Sequence, residues 1–181
     1  SDVYKRQAPG SVAMLIECLT DNRNRAVSDV RVAVTRNGAT MADGGSVQRL
    51  FERKGVVTVS KTFEVTEGRK TTTHEVDEDQ LMEATLEAEP EDIVDLGEAF
   101  EIICDPNAIV DVRKAIQAAD IDYDSAEVEF RAGFAQPVEL EDARKIAKIT
   151  ELLEDLDDVQ NVYTNADITP ELAAALEEDE D

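Results

Sequence analysis

The order of strand-like and helix-like stretches constrains the fold of this chain more than any other feature of its sequence. A short apolar run, typical of a buried strand, covers residues 11–20, and a helical pattern follows as far as Arg36. Two more strand-like runs lie within 46–60. Far along the chain, a long helical stripe at 141–155 precedes a short strand at 159–165. This irregular mixture of strands and helices predicts an α+β protein.

The outer pieces make a split β-α-β pattern, because a strand and helix near the start are completed by a distant helix and strand. We therefore predict a ferredoxin-like domain built from residues 8–75 and 136–168. A second α+β domain, residues 76–135, is predicted to be inserted into it. Two tandem α+β domains that meet near residue 75 are the alternative.

The two ends and the turns complete the predicted organisation. Residues 1–7, "SDVYKRQ", match nothing that follows and are predicted to be a non-native lead-in outside the fold. Residues 169–181 are predicted to form an acidic tail after Thr169-Pro170 opens a short helix. Lys54-Gly55 is predicted to form a hairpin turn, and Asn37-Gly38 to stop the first helix.

Charge is unevenly distributed along the chain. The formal net charge is -24, yet residues 1–61 hold 10 basic and 6 acidic residues, whereas residues 62–181 hold 8 basic and 36 acidic ones. An acidic majority repels phosphate over long range, so any contact with nucleic acid has to use a local surface. The first third of the chain is the only place where a basic excess offers one.

Arginines concentrate in the stretch "LTDNRNRAVSDVRVAVTRNG", at and beyond a predicted helix start. Arg23 and Arg25 oppose the helix dipole there, but arginine forks beside free backbone N–H groups also make a phosphate-binding surface. The alternative is that both pair with Asp21, Asp29 or the acidic second domain. If helix and hairpin turn share an edge, the predicted nucleic-acid-binding residues are Arg23, Arg25, Arg31, Arg36, Arg53 and Lys54.

Catalytic and metal-binding patterns are missing from the sequence. It has no glycine-rich phosphate loop, no Ser-His-Asp or Cys-His set, and its acidic runs lack EF-hand spacing. The single histidine is His74, and Cys18 and Cys104 each lie in an apolar run, which favours two reduced core thiols. We therefore expect no enzymatic activity, no metal, no cofactor and no small-molecule substrate.

Nothing in the sequence indicates a membrane or an exported protein. The longest apolar run, "VAMLI", is far shorter than the roughly 20 residues that span a bilayer, and no apolar leader precedes it. We therefore expect a cytoplasmic protein without membrane contact.

Three segments, "ECLTDNRNRAVSDVR", "GGSVQRLFERKGVV" and "LEDLDDVQNVYTNADI", resemble the YebC/PmpR family, whose mitochondrial relatives are translational activators of cytochrome c oxidase. The resemblance runs from about residue 8 to residue 168. It implies a basic helical N-terminal domain, which we expect this chain to lack, and two α+β domains, one inserted in the other.

The resemblance also implies a function. Family members are described as DNA-binding transcriptional regulators or as ribosome-associated factors that help translation. The implied partner is therefore DNA, or rRNA or tRNA on the ribosome, with possible contacts to ribosomal proteins. The alternative from the residues is an acidic protein-interaction module that docks on a basic partner such as a ribosomal protein. A small-molecule sensor is a third reading, which no pocket motif recommends.

Overall fold

A computed structural model of the chain describes residues 2–8, 12–41 and 47–178, with side chains for residues 12–39 and 47–178. The chain forms two compact units. Unit 1 combines residues 1–52 with residues 131–181, and unit 2 is residues 53–130. The predicted first boundary near residue 75 is therefore wrong, because the inserted unit begins at Arg53.

The elements are named here in chain order. The strands are β1 (Asp2–Ala8), β2 (Val12–Cys18), β3 (Thr40–Met41), β4 (Phe51–Ser60), β5 (Thr62–Glu67), β6 (Lys70–Glu75), β7 (Asp92–Asp95), β8 (Ala99–Cys104), β9 (Ser125–Ala132), β10 (Gln136–Pro137), β11 (Val159–Thr164) and β12 (Ala166–Asp167). The helices are α1 (Arg23–Thr35), α2 (Glu78–Thr85), α3 (Ile109–Ala118), α4 (Leu140–Glu154) and α5 (Pro170–Glu178). This mixture confirms the predicted α+β class.

Unit 1 is built on a four-stranded sheet in the order β11-β2-β1-β3, with α1 and α4 against one face. Alternate residues of β2 point to that face, as strand geometry requires. They pack on apolar residues of both helices in one aliphatic core, formed by Val12, Met14, Ile16, Cys18, Val30, Val34, Ala39, Ile146, Ile149 and Leu153.

The neighbours of β2 differ from the prediction on one side. β11 pairs with β2 antiparallel, as a completed split pattern requires. On the other side lies β1, which pairs with β2 from Asp2 opposite Cys18 to Ala8 opposite Val12. The prediction that residues 1–7 lie outside the fold is therefore wrong. The two strands predicted within 46–60 are the single strand β4, which belongs to the sheet of unit 2.

Unit 2 is a second sheet, in the order β7-β8-β4-β9, with α2 and α3 against one face. β4 runs without a break through Gly55, so the predicted Lys54-Gly55 turn is wrong. The reason is packing. A Cβ on Gly55 would lie 2.8 Å from the Cys104 sulfur and 3.0 Å from Cβ of Ile109, so glycine admits the neighbouring strand end and α3.

Several predicted element ends are confirmed. Gly38 follows α1 with a φ of +86°, and Gly68 turns the β5–β6 hairpin with a φ of +63°, where the sequence "EGRK" predicts a hairpin turn at Glu67-Gly68. The predicted core thiols are also confirmed, since Cys18 and Cys104 are buried and form no disulfide. Burial raises the pKa of the Cys104 thiol, which keeps it protonated.

Candidate nucleic-acid interface

The start of α1 carries the arginines that the sequence predicts to bind phosphate. Asn22 caps this helix, and its side-chain oxygen accepts a hydrogen bond from the backbone N–H of Arg25 at 3.1 Å. The first turn of α1 contains no acidic residue. The positive end of the helix dipole therefore meets Arg23 and Arg25 without an acidic residue in the first turn to offset them.

Arg25 is held by a carboxylate from a distant part of unit 1. Its Nε donates to Oδ2 of Asp158 at 3.1 Å, and its Nη2 donates to Oδ1 at 3.0 Å. Such a two-pronged pair is the strongest geometry that a guanidinium and a carboxylate can adopt. Nη2 also donates to Asp21 at 3.2 Å. Of the partners that the alternative named for Arg25, the structure has Asp21, whereas the two-pronged partner Asp158 lies in unit 1 and was not predicted.

Solvent exposure and protonation agree with a structural role for this pair. The side chain of Arg25 is 50% exposed, whereas that of Asp158 is only 14% exposed. The hydrogen bond from Arg25 lowers the pKa of Asp158, and the same bond raises the pKa of Arg25. The backbone oxygen of Asp158 also accepts from the N–H of Leu19 at 2.9 Å. The pair therefore fastens the start of α1 to the start of β11.

Two other residues that the sequence predicts to bind nucleic acid, Lys54 and Arg23, also interact within the chain. Lys54 donates to both carboxylate oxygens of Glu91, at 3.0 Å and 2.8 Å. Arg23 takes part in an interaction within the chain as well. These side chains are consequently less available to a ligand than the sequence suggested.

The remaining predicted residues, Arg31, Arg36 and Arg53, are exposed. None of the three forms an ion pair with a residue whose side chain the structure describes. Arg53 lies on β4 in unit 2, so it is not on the element that carries the other two. Whether any of the six predicted residues contacts nucleic acid stays a prediction, but Arg31 in α1 and Arg36 at its C-terminal cap remain open to do so.

Helix geometry separates Arg31 from Arg36. Five residues correspond to about 140° around a helix, so the two lie on either side of the outward face of α1. The opposite face carries Ala26, Val30 and Val34, which are buried. These cations are thus spread around the helix and do not form the single patch that the sequence predicted.

A groove of about 290 Å³ runs between α1 and α4 beside Arg36. Val32 of α1 and Leu152 of α4 line it, with exposed fractions of 45% and 37%. One helical turn before Leu152 on α4 lies Lys148, which is exposed and has no ion pair with any residue in the described ranges. Sequence reasoning missed Lys148, although it lies opposite the predicted stripe of Ile146, Ile149 and Leu153.

The described residues offer few groups for binding a metal ion or for stacking bases. Within the described ranges no group of three or more His, Cys, Asp or Glu side chains could hold a metal ion. His74 stacks on Phe63, with ring centroids 5.3 Å apart. Phe51 is only 6% exposed, so it is not a platform for stacking bases. No helix among residues 12–41 and 47–178 is long and apolar enough to cross a bilayer.

Comparisons with known proteins show clear similarity. A family model described as the second and third domain of TACO1/YebC matches residues 2–166, a range that includes most of the segment predicted to be a lead-in. A probable transcriptional regulatory protein of Cutibacterium acnes is 75% identical over 98% of this chain and 67% of its own length. Another, from Mycobacterium tuberculosis, is 52% identical over 98% of this chain and 66% of its own length.

A solved structure is similar as well. The crystal structure of a conserved hypothetical protein from Aquifex aeolicus superposes with a TM-score of 0.76 at 31% identity. The match covers 92% of this chain and 64% of that one. This chain therefore spans about two thirds of the length of the proteins that it resembles.

Proposed function

The chain belongs to the TACO1/YebC family, and from that membership we propose that it is a non-enzymatic regulator of gene expression that contacts nucleic acid. Its relatives are named probable transcriptional regulatory proteins. The proposal covers both forms that such regulation takes, on DNA or on the RNA of the ribosome, and it assigns the protein to the cytoplasm.

One observation carries the nucleic-acid contact. Arg31, Arg36 and Lys148 are exposed on the helical layer of unit 1, and no carboxylate among the described side chains pairs with them. On a chain with a net charge of -24, cations without partners are the groups available to a polyanion. Phosphate contacts by arginine and lysine supply most of the sequence-independent affinity of nucleic-acid-binding proteins.

The same surface favours recognition of the backbone over recognition of bases. Single-strand binders that read bases present aromatic side chains on which the bases stack. Neither α1 nor α4, the helices that position these three cations, contains an aromatic residue. The proposed contact therefore positions the protein on the nucleic-acid backbone and reads no base by stacking.

A charge-removal experiment tests the proposal. The test variant is Arg31→Ala/Arg36→Ala/Lys148→Ala. The matched control is Arg69→Ala/Lys70→Ala/Lys114→Ala, which removes the same charge from exposed positions of unit 2. Binding is measured over a salt series with duplex DNA, and by co-sedimentation with purified ribosomes at the same salt concentrations.

The test variant is expected to weaken binding at least about tenfold. It is also expected to flatten the dependence of affinity on salt, by about one unit of slope for each phosphate that the variant no longer neutralises. The control variant is expected to bind like the parent. Equal weakening in both variants would contradict the proposed surface. Comparison of the DNA and ribosome arms decides which of the two polyanions is the target.

A further inference from the structure

A groove of about 420 Å³ opens in unit 2 between α2 and the segment that leads into β7. Met82, Leu86, Pro90 and Ile93 supply its apolar lining, and we call it the Met82–Leu86 groove. Met82 is 53% exposed and Leu86 is 73% exposed, whereas Leu81 on the same helix is fully buried. The helix thus turns one apolar side to the core and another to the groove.

Two neighbouring apolar side chains in a concave surface mean more than either one alone. Single exposed leucines are ordinary on protein surfaces, but clustered ones mark binding sites. Met82 lies in α2 and Leu86 directly follows the last residue of that helix, and both side chains line the groove. Together they can receive more than one apolar side chain of a partner.

Carboxylates surround this apolar surface. Glu78, Glu89, Glu91 and Asp92 line the same groove. Lys54 neutralises Glu91 at 2.8 Å. The other three carboxylates form no ion pair with any side chain that the structure describes, so the groove keeps a negative rim.

The backbone at the rim is held in a costly conformation. Glu89 has a φ of +50°, in the left-handed region that residues with a Cβ rarely adopt, and Pro90 follows it. A glycine would relieve this strain but would remove a carboxylate from the rim. Strain of this kind clusters at binding sites.

The geometry points to a basic protein segment as the occupant, one that inserts apolar side chains flanked by lysine or arginine. Charge complementarity carries this choice, since residues 53–130 contain 21 acidic and 7 basic residues. The same charge repels nucleic acid, and a second copy of this chain with its net charge of -24 would bring carboxylates against carboxylates. The partner is thus distinct from the polyanion proposed for unit 1, and neither proposal rests on the other.

The test uses a short fluorescent amphipathic peptide of lysine and leucine, followed by fluorescence anisotropy. Leu86→Ala is expected to weaken its binding about tenfold. Leu96→Ala is the matched control, because Leu96 is 56% exposed outside the groove, and it is expected to change nothing. Both leucines are exposed, so neither substitution should unfold the chain.

Charge is tested in the same way. The variant Glu78→Gln/Glu89→Gln is expected to bind the peptide several-fold more weakly than the control variant Glu171→Gln/Glu177→Gln, which removes equal charge from α5. The same peptide with serine for leucine is expected to bind weakly to every variant. If both double variants bind the peptide equally weakly, or if the serine peptide binds as well as the leucine peptide, diffuse electrostatic attraction explains the binding and the proposal is overturned.

A methyl-labelled methionine spectrum locates the contact. The methyl resonance of Met82 is expected to shift when the peptide is added, while that of Met14, which is fully buried in unit 1, stays in place. A peptide that leaves Met82 unmoved overturns the proposal. So does duplex DNA that shifts Met82, or self-association of the chain that buries it.

Discussion

Helices α1 and α2 begin in opposite ways. α2 has a complete capping box, in which Asp77 accepts from the N–H of Gln80 at 2.8 Å and the Gln80 side chain accepts from the N–H of Asp77 at 2.8 Å. Glu78 and Asp79 add negative charge where the dipole is positive. α1 has a single capping bond to Asn22 and no acid in its first turn.

The difference shows two ways to stabilise a helix start. Every group that stabilises the start of α2 lies within four residues of Asp77, so the start is specified locally. At α1 the local charges oppose the dipole, and the main carboxylate partner of Arg25 is Asp158, 133 positions away. A local conflict is therefore resolved by tertiary structure, and one of the two arginines predicted at the helix start to bind phosphate is used for that purpose.

The largest expected effect is on the stability of unit 2. The start of α2 is stabilised by its sequence neighbours, and a substitution at Gly55 tests whether the same unit also depends on contacts between distant residues. Gly55→Ala should lower the free energy of unfolding by about 1 to 3 kcal/mol, because the new Cβ would overpack a closed site. It would lie 2.8 Å from the buried sulfur of Cys104. Urea denaturation measures the decrease.

Gly133→Ala is the matched control, since the nearest atom to its added Cβ is the Leu50 carbonyl oxygen at 4.0 Å. It should change the free energy of unfolding by less than about 1 kcal/mol. If the two variants lose the same stability, the close approach at Gly55 does not explain why β4 continues through a glycine.

The next effect compares the two caps directly. Asp77→Ala should lower the free energy of unfolding by about 1 to 2 kcal/mol, because it breaks the capping box and removes a charge that favours the dipole. Asn22→Ala removes one capping bond and should cost about 0.5 to 1 kcal/mol. Thermal and urea unfolding of both variants gives the order, and a larger decrease for Asn22→Ala would reverse the comparison.

The smallest effect is the pH dependence of the Arg25–Asp158 pair, since Arg25 is half exposed and solvent screens the pair. The folded pKa of Asp158 lies below its ordinary value of 3.8. The carboxylate therefore contributes stability above about pH 4, and that contribution is lost as pH falls through the folded pKa. Arg25→Ala should be less stable than the parent at neutral pH, and the difference should shrink in acid.

Arg31→Ala is the control for this pair, because Arg31 has no ion pair within the described residues. Its stability relative to the parent should not vary over the same acid range. A difference between Arg25→Ala and the parent that stays constant from neutral pH into acid would show that the pair does not couple folding to the titration of Asp158.

Much of the fold was predictable because it depends on neighbours in sequence. The helical spacing of Ile146, Ile149 and Leu153 predicted the buried side of α4, and Gly38 ends α1 as expected. The family was predictable from contiguous segments for the same reason. Gly55 shows the limit, since glycine next to a charged residue is typical of a turn, and only the approach of Cys104 and Ile109 explains it as a strand residue.

The candidate interface was predictable in part. The sequence pointed to α1 and included Arg31 and Arg36, which are open. It could not tell that Asp158 would reach Arg25, and it left out Lys148 because no local pattern joins α4 to α1. The Met82–Leu86 groove was hidden too, since Leu81, Met82 and Leu86 are all apolar and the sequence does not say which of them face the core.

Periodicity, capping residues and left-handed glycines determined the elements, because each acts over a few covalently linked positions. Strand pairing is different. That β1 occupies the place beside β2, and that β4 joins the other sheet, depended on which distant segments could bury their apolar faces together. Charge partners follow the same rule, since Arg25 meets Asp158 only after β11 pairs with β2. Tertiary structure therefore decided which cations were used for stability and which stayed exposed.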